Sequence, residues 1–379
     1  MTLLVAILIF SVLVMVHEYS HFIVARFSGV KVEKFSIGFG PPLFQFKKGD
    51  TLFLVCAVPL GGYVKLAGDN KDEARGTPEE FLSKSPGIKS RIVAAGPIGN
   101  YLLAGVLFCL IAFIGYPKAD VSSEPVIGSL EEGYPAAEAG LREGDRILAV
   151  DETEVDDWEH MAELIHAAQQ RVTVSYQRGE NTFTSTVPLK TKVLRDEYGR
   201  KLEEVSIMGI APQVNTETVR YGFPGALLKG GELWIKLTAR VARSFWYILT
   251  GSISFREGAG GPLAIVYYTA QFTKMGVVQV LNFAAALNIS LAIINLLPVP
   301  VLDGGHLAVF GLERIRRKPL SERAEGILMK IGIGLILLLV LTVSYNDIVK
   351  YGPKYWDKIM TLKQRVLPSL RNEIPEAGQ

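Results

Sequence analysis

Four stretches of the chain are apolar and long enough to cross the roughly 30 Å hydrocarbon core of a bilayer at about 1.5 Å of rise per residue. They cover residues 3–25, 92–116, 277–297 and 327–343. Hydrocarbon offers a backbone amide no partner but its own chain, so each of the four has to be a helix. The bulk numbers agree. Hydrophobic residues make up 49% of the 379, and the mean hydropathy of +0.26 is too high for an ordinary soluble chain of this length. The first stretch has no basic leader and no small-x-small cleavage pattern after it, so it is expected to stay as a transmembrane helix rather than be removed as a signal peptide.

That first helix carries an anomaly. Within "VLVMVHEYSHFIVARF" stand His17, Glu18 and His21. Ionisable groups in hydrocarbon cost several kcal/mol each, on the order of 3 on insertion scales, unless something pairs with them. The spacing is H-E-x-x-H, and residues four apart share a helix face, so both imidazoles can converge on one Zn²⁺ while the glutamate serves as base for the attacking water. A hydrolytic zinc site takes three protein ligands and leaves one position open. The third is sought in "NLLPVPVLDGGH", where Asp303 ends the third span on a backbone broken by Pro and Gly. Such a break lets a side chain enter a cavity. Two other readings compete. A catalytically dead scaffold would close a structural metal site, with His306 as fourth ligand, and a transporter would need further His or acidic residues along the spans.

The stretch between the first two spans, "KFSIGFGPPLFQFKKGDTLFLVCAVPLGGYVKLAGD", alternates apolar residues between Gly-Pro punctuation and reads as β-hairpins. It is too apolar for an ordinary loop and is expected to dip into the membrane against the first helix. Cys56 and Cys109 lie far apart in apolar surroundings and read as small core residues. "GALLKGGELWIKLTARVARSFWYILTG" mixes Lys and Arg with Trp, Leu and Ile at helical spacing, which fits an amphipathic helix in the interface.

Charge divides the chain. Between residues 118 and 219 acidic residues outnumber basic ones about two to one, whereas the first connecting loop is basic. The positive-inside rule then puts that loop in the cytoplasm and the acidic domain on the opposite face. "ERIRRK" agrees, and the basic C-terminal tail dissents. No basic stripe or base-stacking module points to nucleic acid. The acidic domain contains "GYPAAEAGLREGDRILAVDETEVDDWEHMAELIHAA" and resembles a PDZ domain of the bacterial, circularly permuted kind. Such domains hold peptide C-termini in a nest of backbone N–H groups, for which Val126, Ile127, Gly128 and Ser129 are the candidates.

Taken together, "HEYSH", "NLLPVPVLDGGH", "GFGP", "GGYVKL", "GPIGN" and a PDZ insert before the third span resemble the site-2 protease family of intramembrane zinc metalloproteases, over nearly the whole chain. A single PDZ domain is recognisable, where some members carry two in tandem. The resemblance implies cleavage within transmembrane segments of single-span substrates, such as anti-sigma factors or signal-peptide remnants, in a bacterial cytoplasmic membrane. It implies His17, His21 and Asp303 as zinc ligands and Glu18 as general base. It further implies Asn295 as a substrate- or oxyanion-holding residue, and Gly61, Gly62, Tyr63, Val64 and Lys65 as a strand against which unwound substrate lies. The expected fold is a polytopic α-helical membrane protein with four transmembrane helices, a membrane-associated β-hairpin region and an inserted α+β PDZ domain. Its divisions are expected at 1–116 (two spans and the β loop), 117–205 (PDZ), 206–255 (linker and interfacial helix), 256–349 (two spans) and 350–379 (tail).

Overall fold

The computed structural model describes residues 2–196, 200–258, 260–318 and 320–371. The end of the tail expected over 350–379 therefore lies outside the described residues. The chain forms two compact units: one of Met1–Ala112, Phe223–Phe245 and Ala259–Gln379, the other of Phe113–Gly222 and Trp246–Gly258.

The chain opens with α1 (Thr2–Phe27), β1 (Val32–Lys48), β2 (Thr51–Leu66) and α2 (Pro86–Ile114). It continues through β3 (Tyr116–Val121), β4 (Ile127–Leu130), α3 (Pro135–Glu138), β5 (Arg146–Val150), β6 (Thr153–Glu154) and α4 (Trp158–Ala167). Next come β7 (Arg171–Arg178), β8 (Asn181–Pro188), β9 (Lys190–Arg195), β10 (Lys201–Ile207), β11 (Ile210–Pro212) and β12 (Val214–Val219). The helices α5 (Phe223–Leu249), α6 (Phe255–Gly258), α7 (Pro262–Met275), α8 (Val277–Asn295), α9 (Asp303–Arg316) and α10 (Glu322–Arg371) complete it. Four helices are long and apolar enough to span a membrane, over Leu3–Phe27, Pro86–Ile114, Val277–Asn295 and Glu322–Pro353. The basic connection "ERIRRK" turns out to be the end of α9, stopped by Arg317 in the left-handed region at φ 56°.

In the first unit β1 and β2 each double back. Lys34–Ile37 lies between Leu52–Val55 on one side and Gly62–Lys65 on the other, so the Gly62–Leu66 run is an outer edge. The sheet packs on α1 through Phe22, whose ring sits 5.4 Å from Phe35 and 5.7 Å from Phe53. Leu43, Phe44 and Phe46 stay exposed at the far end, as a hairpin that dips into lipid requires.

Two glycines of α2 let α1 approach closely. A Cβ on Gly99 would fall 1.9 Å from the Ser20 hydroxyl, and one on Gly96 within 2.3 Å of His21 Nε2. On another part of α2, α5 runs alongside: a Cβ at Gly230 would sit 2.6 Å from the Cys109 backbone, and Trp234 stacks on Tyr101 at 4.4 Å. The expectation of a helix merely resting in the interface is corrected here, because the small and aromatic residues of α5 make a helix–helix seam. Asp347 of α10 is fully buried and accepts the N–H groups of Gly261 and Ala264 at 3.1 and 2.9 Å. It thereby satisfies the orphan donors at the start of α7.

The second unit holds a four-stranded sheet in the order β6-β5-β7-β8 with α4 over it. Met161 and Ile165 of α4 join Ile147, Val150, Val172 and Val174 in its core. The Gly-Asp of the PDZ pattern has a clear reason. Asp145, fully buried, accepts the Arg142 N–H and both Nε and Nη2 of Arg178 at 2.7 Å, so its charge is paired and hydrogen-bonded. The expected end of this domain at 205 is too early. β11 pairs with β4, and β12 pairs with β3 along the full ladder from Val214↔Val121 to Val219↔Tyr116.

Candidate metal centre

α1 presents His17 and His21 one turn apart, on the side where α2 lies. Their Nε2 atoms are 3.2 Å apart. Asp303, first residue of α9, enters from far along the sequence: its Oδ2 is 3.1 Å from His17 Nε2 and its Oδ1 3.8 Å from His21 Nε2. Tight chain geometry delivers it. Cβ atoms on Gly304 and Gly305 would each fall 2.3 Å from backbone oxygens of the Leu296–Val299 turn. Val301 is held at φ 86°, a conformation a β-branched residue rarely takes. Strain of this kind persists where surrounding structure over-determines the backbone.

The three side chains fit a metal on several counts. One ligand atom from each lies within 4.8 Å of the other two. His21 Nδ1 is 2.8 Å from the Ile92 carbonyl, which accepts its proton and leaves Nε2 as a lone pair aimed at the cluster. Asp303 Oδ2 is buried without a hydrogen-bond partner. Two imidazoles and a carboxylate are a donor set suited to Zn²⁺ with a position left open. His306 is exposed and stands outside this group.

A cavity of about 350 Å³ adjoins the cluster, lined by His17, Glu18, His21, Val64, Leu66, Asn295, Val301 and Asp303 among others. Glu18 projects beside the sheet edge: its Cγ is 3.6 Å from where a Gly62 side chain would begin. Val64 and Leu66 line the cavity, whereas Tyr63 stacks on Phe39 at 6.2 Å and Lys65 pairs with Glu73 at 2.7 Å. Gly61, at φ 105°, packs against Phe39. The two-residue period of a strand explains the split, since alternate side chains face opposite ways. Of the five residues expected along this strand, Val64 lines the cavity and Gly62 adjoins Glu18, while Gly61, Tyr63 and Lys65 turn elsewhere.

In the second unit, Val126–Ser129 does not form a free nest. Ile127 N–H donates to the Asp145 carbonyl, Gly144 N–H to the Ile127 carbonyl, and β11 pairs along the other edge. With neighbours on both sides, this strand has no free edge for a peptide, which corrects the expectation. The second edge of β11 has no strand partner among the described residues. Two contributors to the metal centre carried no local signal: Gly96, whose missing side chain makes room for both rings, and Asn100, whose Nδ2 lies 3.3 Å from His17 Nδ1.

Residues 5–339 match the model of peptidase family M50. The chain therefore belongs to that family, the site-2 proteases, and is a membrane zinc metalloprotease. Among bacterial relatives, zinc metalloprotease RasP of Shouchella clausii is 31% identical, the match covering 92% of this chain and 99% of that one. RasP of Geobacillus kaustophilus is 26% identical over 91% and 97%. A Rhizobium meliloti protein provisionally named a zinc metalloprotease is 33% identical over 89% and 94%. Among solved structures, the PDZ domain of an SdrC-like protein from Listeria monocytogenes covers 24% of this chain at 20% identity and a TM-score of 0.20. That score is too low to carry an argument.

Proposed function

We propose that the chain hydrolyses peptide bonds within transmembrane segments of single-span membrane proteins, with His17, His21 and Asp303 holding the zinc and Glu18 as general base. The observation that carries this reading is the convergence of two imidazoles and one carboxylate, 3.1–3.8 Å apart, with Glu18 on the same cavity. Zinc bound there supplies Lewis-acid chemistry, making water nucleophilic near neutral pH and polarising the scissile carbonyl. Glu18 takes the proton of the attacking water and passes it to the leaving amine. Asn295, at the end of α8 on the cavity wall, offers its amide N–H to the substrate carbonyl oxygen.

A transmembrane helix hides its carbonyls in its own hydrogen bonds and must unwind locally before cleavage. The outer edge of the Gly62–Leu66 run offers replacement backbone bonds along the cavity. By the positive-inside rule the metal centre opens toward the cytoplasm, and the PDZ domain lies outside, where it senses new C-termini or excludes bulky ectodomains. Substrates of the anti-sigma-factor or signal-peptide-remnant kind suit this arrangement.

The test is Glu18→Gln in purified full-length protein, with zinc content and cleavage of a model single-span substrate measured together. The expected result is a loss of turnover of roughly 10²–10⁴-fold with zinc retained. Unchanged turnover would remove Glu18 from the mechanism.

A further inference from the structure

Three successive positions on one face of α2, four residues apart, address the two histidines. The Ile92 carbonyl accepts from His21 Nδ1, Gly96 leaves the space both rings occupy, and Asn100 meets His17 Nδ1 at 3.3 Å. Asn100 is fully buried, and its Oδ1 has no hydrogen-bond partner. A buried unpaired amide oxygen costs about 1–3 kcal/mol, so its placement against a metal-centre histidine calls for a reason.

The ring supplies one. His17 Nε2 faces Asp303 and His21, and a ring that offers the Nε2 lone pair to a metal carries its proton on Nδ1. Opposite that N–H an amide NH₂ would set donor against donor. Half a turn of the Asn100 amide puts Oδ1 there instead, pairing the acceptor with the Nδ1 proton. The pair then matches the His21–Ile92 bond on the neighbouring ring. Outer partners of this kind fix the tautomer and orientation of a ligating imidazole and raise its basicity.

We propose that Asn100 is a positioning residue of the metal centre: its side-chain carbonyl accepts the His17 Nδ1 proton and holds the ring with Nε2 toward the zinc. The inference rests on the reading of His17 as a ligand. Nothing in the "GPIGN" pattern assigns the asparagine this task, because its partner is 83 positions away.

The experiment uses full-length protein in detergent, titrated with Zn²⁺ against a chromogenic chelator, for Asn100→Leu, Asn100→Asp and His17→Ala. Thermal unfolding of the metal-free forms runs beside the titration. Asn100→Leu keeps the volume and removes the acceptor, and should weaken zinc binding about 10–100-fold while the metal-free Tm changes little. Asn100→Asp keeps an acceptor at the same place and should bind zinc at least as tightly as the parent. Wild-type affinity in Asn100→Leu would overturn the proposal, as would a tenfold loss in Asn100→Asp, which decides the matter alone if the leucine variant does not fold. Retention of zinc by His17→Ala would instead overturn the ligand assignment, so the two failures are distinguishable.

Discussion

Gly96 shows how a site can be shaped by a missing atom. A methyl group there would lie 2.3 Å from His21 Nε2 and 2.6–2.7 Å from His17 Cε1 and Nε2. Gly96→Ala should therefore push the rings off the metal and lower turnover by roughly 10²-fold, the cost of about 1 Å of misplacement. Zinc analysis and cleavage rates on the same sample check this, and parental values of both would contradict it. The histidines and Glu18 were legible in the sequence because ionisable residues in an apolar helix violate its own pattern. Asp303 was legible because Pro and Gly broke the helix around it. Gly96 and Asn100 were not, since a close helix crossing between residues about 80 positions apart leaves no local periodicity.

At the scale of elements, the loop from β2 to α2 is clasped by Glu80, whose carboxylate accepts the Arg75 and Gly76 N–H groups at 2.8–3.0 Å. Burial pushes its pKa up, but the backbone donors prevail and hold it below the ordinary glutamate value. A depressed folded pKa means that the clasp stabilises the loop above the ordinary carboxylate range and is lost as pH falls through it. Hydrogen exchange at Arg75 and Gly76 should therefore lose protection on acidification, and Glu80→Gln should flatten that dependence. An unchanged pH profile in the variant would contradict the clasp. The strands of this region were legible from alternation and turn residues. Their doubling back was not, because register among four short apolar runs is set by tertiary packing on Phe22 rather than by any one run. The seam between α5 and α2 was hidden for a related reason. The charges of α5 advertise an interface helix, and only Gly230 and Trp234 betray a packed one.

For the whole molecule, the second unit is inserted through the β3–β12 ribbon, with Val121 directly opposite Val214. Replacing residues 122–213 by a short turn should leave that ribbon closed. The excised protein should retain zinc and cut a substrate with a short ectodomain within about tenfold of the parental rate, each tenfold being ~1.4 kcal/mol in the barrier. It should also cut substrates with folded ectodomains that the full chain spares. A folded, zinc-loaded excision variant without hydrolysis would assign the domain a part in catalysis instead. The PDZ domain was recognised from its Ala-rich turn and Gly-Asp pattern. Its far boundary was missed because β11 and β12 are short, mostly polar strands, defined only by partners some 80–100 residues earlier.

The central claim is that two imidazoles of the opening helix and one distant carboxylate hold a single zinc ion. X-ray absorption at the zinc edge of the purified protein tests it most directly. The account predicts nitrogen and oxygen scatterers only, at about 2.0–2.2 Å, with the multiple scattering of two imidazoles. A sulfur shell at about 2.3 Å, or an imidazole count other than two, would contradict it.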